Sequence, residues 1–161
     1  MILKEATLMP NTVYVYDKNT GKIKYTVDHT HHTDIKQFEE SGETFFVGPG
    51  GAKISGTYVK KDPSTGAPIG VSPVEHMTFV NITKHVIVAN GTDESVISGL
   101  RKGMHININN EHSYVVDDES GSTLEISCNN YAYAPEHNHM KVYMKAYGCY
   151  DSVLKIQVVK E

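Results

Sequence analysis

Histidine gives this chain most of its chemical reach. There are nine in 161 residues, and two groups have metal-ligand spacing. His29-Thr30-His31, followed by His32, and His137-Asn138-His139 both read H-x-H. In an extended segment residues i and i+2 share a face, so both imidazoles of a pair can meet one metal ion. One pair leaves such a site open, and copies of the chain around a symmetry axis would close it. His137 and His139 are the candidate metal ligands. The alternative is two exposed, loop-borne pairs. Neither neighbourhood holds a carboxylate at the spacing of a facial triad. The two cysteines, Cys128 and Cys149, are too few for a zinc site or a disulfide framework. They read as free buried thiols, with a single bridge between neighbouring strands as the alternative.

The other chemical motifs are incomplete. Gly48-Pro49-Gly50-Gly51-Ala52-Lys53 lacks the order of a phosphate-binding loop, and no helix pattern follows it. Asp17-Lys18-Asn19-Thr20-Gly21 opens like a calcium loop but lacks the later ligands and the bidentate Glu. No G-x-S-x-G elbow occurs. The expectation is therefore no catalytic residue, no cofactor and no enzyme. Tyr131, Tyr133, Tyr143, Tyr147 and Tyr150 crowd the last third. On an exposed face they would bind sugar or protein, and otherwise they are half-buried core and rim. Net charge is -4 with no basic block, which argues against nucleic acid, since phosphate contacts need clustered Lys and Arg. No apolar run approaches the ~18–20 residues that span a bilayer. The first ten residues, MILKEATLMP, lack the apolar core of a signal peptide. The chain is thus expected in a reducing compartment, its sequons at Asn81 and Asn90 unused.

The elements that must position these residues are strands. Ten Tyr, no Trp and 13 Gly, with frequent Thr, Val and Ile, suit an all-β protein. Residues 12–16 and 22–27 form a hairpin around Asp17-Lys18-Asn19-Thr20-Gly21. Asp34 is placed to cap a short helix over residues 35–40, ended by Ser41-Gly42. Residues 44–47 are a strand broken by Gly48-Pro49-Gly50-Gly51. Residues 57–60 run into the turn Asp62-Pro63-Ser64-Thr65-Gly66, and residues 71–78 are a linker. The Asp-headed, Gly-closed turn recurs at 17–21, 62–66 and 117–121. Because Asp and Gly suit turns generally, the recurrence is expected to be shared hairpin chemistry rather than a repeat. The organising stretch is residues 82–100, ITKHVIVANGTDESVISGL. Within it residues 85–89 and 95–98 are strands either side of a tight Asn-Gly turn. Further strands are expected over 104–109, 113–116 and 123–128 (the last two as a hairpin), 140–147 and 153–159. About seven strands from residue 82 onward has the density of a β-sandwich.

Two segments carry a resemblance. YVYDKNTGKI at 14–23, followed by GTYVKKDPSTGAPI at 56–69, resembles the small N-terminal module of many tailed-bacteriophage tail and tail-fibre proteins. The later half resembles a bacterial immunoglobulin-like domain, marked by K-x-x-I-x-A-[DN]-G-x-D. Here that pattern is Lys84, Ile87, Ala89, Asn90, Gly91 and Asp93, with VDDESGSTLEI following at 116–126. Asn90 stands where Asp is usual. The resemblance implies a small N-terminal β-hairpin module over 1–78 and an immunoglobulin-like β-sandwich over 79–161. It also implies a non-enzymatic virion structural protein, located in the virion and associated with the tail or a tail appendage. Its implied partners are other virion proteins and copies of itself in a symmetric assembly, with a host surface glycan or protein as a further one. Neither nucleic acid nor membrane insertion is implied. H-x-H pairs hold iron in trimeric tail-fibre and spike tips, which is the context in which His137 and His139 would bind metal. The alternatives are a capsid decoration or head-fibre protein, a carbohydrate-binding module and a small His-metal β-protein.

Overall fold

The computed structural model describes residues 11–28, 32–50, 52–119, 121–129 and 138–161. Among the described residues the chain is all-β apart from one short helix. It divides into two compact units, one ending at Glu75 and one beginning at His76. No helix among the described residues is long and apolar enough to cross a membrane.

The first unit holds β1 (Asn11–Tyr16), β2 (Ile23–Val27), α1 (His32–Ser41), β3 (Phe45–Pro49), β4 (Thr57–Lys61) and β5 (Pro68–Pro73). The first three strands form an antiparallel sheet with β1 central, and β4 pairs with β5. Alternation would normally leave one side of β1 wet, yet Val13, Tyr14, Val15 and Tyr16 are all buried. On one side Tyr14 stacks on its register partner Phe46, with ring centroids 6.2 Å apart. Tyr16, Ile23 and Val59 complete that cluster. The Tyr14 hydroxyl donates to the Pro49 carbonyl at 2.6 Å, which satisfies its buried polar end. On the other side Val15 faces its register partner Phe45. The Phe45 ring lies 5.8 Å from Phe38 of α1, so the helix covers this side.

The recurring turn has the same local structure at 17–21 and 62–66, while the third, at 117–121, includes Ser120, outside the described residues. Asp17 accepts from the Asn19 and Thr20 amides at 2.8 and 2.9 Å, and Asp62 from Ser64 and Thr65 at 2.7 and 3.1 Å. Thr20 and Thr65 then accept from the second residue onward, both at 3.3 Å. A register irregularity precedes each turn, at Val15/Tyr16 and Lys60/Lys61. The two hairpins join where the Val59 amide donates to the Gly21 carbonyl at 2.8 Å. In both turns the amide donors hold the aspartate carboxyl below its usual range, with Thr20 the largest cause for Asp17 and Ser64 for Asp62.

Three local expectations need correction. The helix begins at His32, not residue 35, so Asp34 lies inside it rather than capping it. First-turn amides have no partner within a helix, so a polar residue near the start marks its end only to within a turn. Strand β3 continues through Gly48 to Pro49 instead of breaking. It is an edge strand and Pro49 is its last residue, where a missing N–H spoils little of the ladder. The segment read as a linker from residue 71 is strand as far as Pro73.

The second unit holds β6 (Asn81–Ile82), β7 (Val86–Val88), β8 (Glu94–Ser98), β9 (His105–Ile108), β10 (His112–Val115), β11 (Thr123–Ser127), β12 (His139–Lys145) and β13 (Ser152–Val159). They make two sheets, ordered β11-β8-β6 and β10-β9-β12-β13-β7. All pairs are antiparallel except β7 with β13. This is the strand order of an immunoglobulin-like sandwich, with consecutive strands distributed between the sheets. Ile87, Ile97, Ile106, Val142 and Ile156 form the centre of the core, each at most 1% exposed.

One further expectation fails here. β10 and β11 are not a hairpin: β10 pairs with β9 in the larger sheet and β11 with β8 in the smaller. Asp-Gly turn chemistry reverses a chain whether the next strand pairs or crosses to the facing sheet, so composition could not separate the two. The tight hairpin turn lies instead between β9 and β10. There Asn109 and Asn110 have φ of 56° and 59°, the paired positive values of a type I′ turn.

Ile97→Ala should cost about 2–5 kcal/mol by opening a cavity between the sheets. Thr123→Ala, on the exposed side of the neighbouring strand, should cost less than about 1 kcal/mol. Urea unfolding of both variants checks this, and equal losses would contradict the assigned inner and outer faces.

Candidate functional site

The stretch from β6 to β8 passes between the sheets twice. β6 pairs with β8 in the smaller sheet, and β7 lies beside β13 in the larger. At the first crossing the buried Ser95 hydroxyl donates to the Lys84 carbonyl at 2.6 Å. The Thr83 hydroxyl accepts from the Val96 amide at 2.9 Å. At the second crossing the Asn90 side-chain oxygen accepts from the Thr92 and Asp93 amides at 3.0 and 2.8 Å. The Gly91 amide donates to the Cys128 carbonyl at 3.0 Å. Gly91 has φ of 76°, and a Cβ there would come within 2.3 Å of the Asn129 side-chain oxygen. The positive φ favours glycine, and any side chain there would also have to displace the Asn129 amide.

Asp93 fastens the whole arrangement. One carboxylate oxygen accepts from the Val88 amide at 2.7 Å and the other pairs with the Lys84 ammonium. The Lys84 partner, then the Val88 amide, hold the Asp93 carboxyl below the usual carboxylate range. Lys84, Ile87, Asn90, Gly91 and Asp93 are thus all engaged in the fold, Ile87 through the core and the others through this crossing.

Of the histidine candidates, only His139 and His32 fall within the described residues. His137 lies outside the described residues, as do His29 and His31. His139 is half-buried at the start of β12, opposite Gln157 of β13. His32 is the first residue of α1. Among the described residues no three His, Cys, Asp or Glu side chains group as a metal site. Cys128 and Cys149 are buried and are not joined in a disulfide. Of the late tyrosines, Tyr143 and Tyr147 are half-buried, Tyr150 is exposed, and Tyr131 and Tyr133 lie outside the described residues.

The most distinctive surface is one that net charge concealed. The strands of the larger sheet read VIV, HINI, HSYV, HMKVYMK and SVLKIQVV, without a single carboxylate. The smaller sheet reads NI, ESVIS and TLEIS, with Glu94 and Glu125 and no basic residue. Alternation turns Ile106, Val142, Met144 and Ile156 into the core. Their neighbours His105, Asn107, Lys141, Tyr143, Lys145 and Lys155 therefore take the outward face. Val115 and Val153 share that face and are 46% and 45% exposed. A groove of about 300 Å³ runs above β9, walled by Ser113 and Val115 on one side and Tyr143 and Lys145 on the other. A second cavity of about 230 Å³ adjoins the turn after β8, where the Arg101 guanidinium sits 3.6 Å above the Phe79 ring centroid. The signal for the first surface was present in the strand sequences, and counting charge over the whole chain averaged it away.

Comparison of the chain with protein-family models, with curated proteins and with solved structures finds no match.

Two outcomes test the crossing. A carboxyl depressed in the folded state stabilises above its unfolded range, and that contribution is lost as pH falls through the folded value. Asp93→Asn should therefore melt below the parent at pH 7, with the gap closing below about pH 4. An equal gap at pH 7 and pH 3, by melting curves across pH, would remove the carboxylate from this role. Gly91→Ala should destabilise by more than about 1 kcal/mol, measured by denaturant unfolding. An unchanged midpoint would mean that neither the φ angle nor Asn129 constrains the position.

Proposed function

We propose that the chain is a non-enzymatic structural protein of a bacteriophage virion, associated with the tail or a tail appendage. In this reading the first unit docks to the virion and the immunoglobulin-like unit is displayed. The observation that carries it is the use made of the stretch at 84–93. Its polar residues, where a ligand or substrate would otherwise have to be held, go into tying two sheets together. With its core and crossings occupied in this way, the second unit is left with its outer faces for recognition. The resemblance of both halves, in this order, to tail modules supports the virion setting. Copies in a symmetric assembly fit a chain whose sheets, among the described residues, end in edge strands such as β3, β10 and β11.

Mass spectrometry of gradient-purified particles from the source lysate should recover peptides of this chain in constant ratio to the tail proteins. Gold-labelled antibody against the chain should mark tails. Label on heads would favour capsid decoration, and absence from intact particles would end the virion reading.

A further inference from the structure

We propose that the groove above β9 is a binding site for an acidic sugar chain, of the kind built from uronic acid units. Ligand grooves combine apolar walls with a few placed polar groups, and their volumes begin near ~300 Å³. This groove has that make-up. Tyr143 and Val115 supply apolar surface for the carbon face of a sugar ring, a use to which tyrosine is suited. Asn107 and Ser113 face each other as register partners on β9 and β10. The Asn107 amide donates to the Ser113 hydroxyl at 2.6 Å, while its oxygen accepts from the Asn110 backbone at 2.7 Å. Asn107 is thereby held in place before any ligand arrives. Ser113 accepts that bond, which leaves its own hydrogen to donate to a sugar hydroxyl.

The charge pattern selects an acidic sugar over a neutral one. Lys145 stands at the end of the groove, opposite His105, and makes a long, exposed ion pair with Asp151 at 3.9 Å, which an acidic ligand could replace. Lys141 and Lys155 are register partners on the same outward side and extend the basic track across β12 and β13. No strand of this sheet carries an Asp or Glu to oppose a carboxylate ligand. The site belongs to the immunoglobulin-like unit alone and goes beyond the virion reading. It is tested on the isolated chain, whereas the virion reading is tested on particles.

The purified chain, labelled with ¹⁵N, is titrated with oligogalacturonate, with maltohexaose as the neutral sugar. Poly-glutamate and a single-stranded oligonucleotide serve as polyanions that are not sugars. Oligogalacturonate should shift amides of β9, β10 and the second half of β12, with weaker or no response to the other three. Lys145→Ala should weaken binding about tenfold, the size of one lost charge-assisted contact. Tyr143→Ala should weaken it similarly while Tyr143→Phe retains it; Lys145 is exposed, so Lys145→Ala keeps the parent's melting curve, as does Tyr143→Phe. No shift at millimolar oligogalacturonate would overturn the proposal. So would equal binding of maltohexaose, poly-glutamate or the oligonucleotide. Shifts of the same amides on raising protein concentration alone would assign the face to a second copy of the chain and overturn it as well.

Discussion

The immunoglobulin-like unit depends on one carboxylate. Asp93 opens the smaller sheet, yet its two oxygens are spent on Val88 and Lys84, which belong to the end of β7 and to the crossing before it. A sandwich has no hydrogen bonds between its sheets, because the ladder bonds lie within each one. The apolar core presses the sheets together without fixing how they slide, since burial is non-directional. Directional bonds at the crossings supply the missing registration. Asp93 provides one and Ser95, bonded to the Lys84 carbonyl, provides the other. They flank β7, so this short strand is placed beside β13 from both ends. Its parallel pairing, which no hairpin could create, follows from that placement.

The same constraint explains where recognition can reside. Inward positions of the larger sheet are fixed by core packing, where even small volume changes are costly. Crossing residues are fixed by the bonds just described. What remains free to vary is the outward register of β9, β12 and β13, and it is there that charge has been sorted. Lys141, Lys145 and Lys155 share one sheet while Glu94 and Glu125 share the other. Outward positions drawn without regard to charge would mix both signs, as ordinary soluble surfaces do. A sheet whose strands carry no carboxylate, in a chain of net charge -4, is therefore a feature in its own right.

Much of this was legible from residue patterns, and the failures share a cause. Period-two alternation located nearly every strand after residue 100, because burial on one face writes itself directly into sequence. The Asn-Gly turn after β7 was found for a sound reason, and it arches between sheets. The Asp-Gly segment after β10 misled, because it was read as closing a hairpin. Both turns have the chemistry to reverse a chain, and neither encodes which strand lies opposite. That information sits in distant partners: the Cys128 carbonyl and Asn129 side chain for Gly91, and β8 for β11. The recognition groove was missed for the opposite reason. Its residues come from three strands that sequence reading treated singly, and only register sets Asn107 against Ser113 and Tyr143. The H-x-H pairs drew attention because they are compact in sequence, whereas the groove is compact only in space.

The two turns headed by Asp17 and Asp62 show what local sequence does determine. Each has the same five hydrogen bonds and is preceded by the same register irregularity. At these positions the chain closes on itself within a few residues, so local chemistry is sufficient and the structure repeats faithfully. After Asp117 the opening, which includes Ser120 outside the described residues, is followed by a strand that pairs with β8 rather than with β10. The difference lies in competition: a turn forms its local hairpin only when neither flanking strand has a better partner elsewhere. The first unit is small and its hairpins face little competition. In the second unit two sheets compete for every strand, and the winning pairings bring β9, β10 and β12 side by side. The outward face is thus a product of long-range pairing, which is why its chemistry emerges only once the strands are set in register.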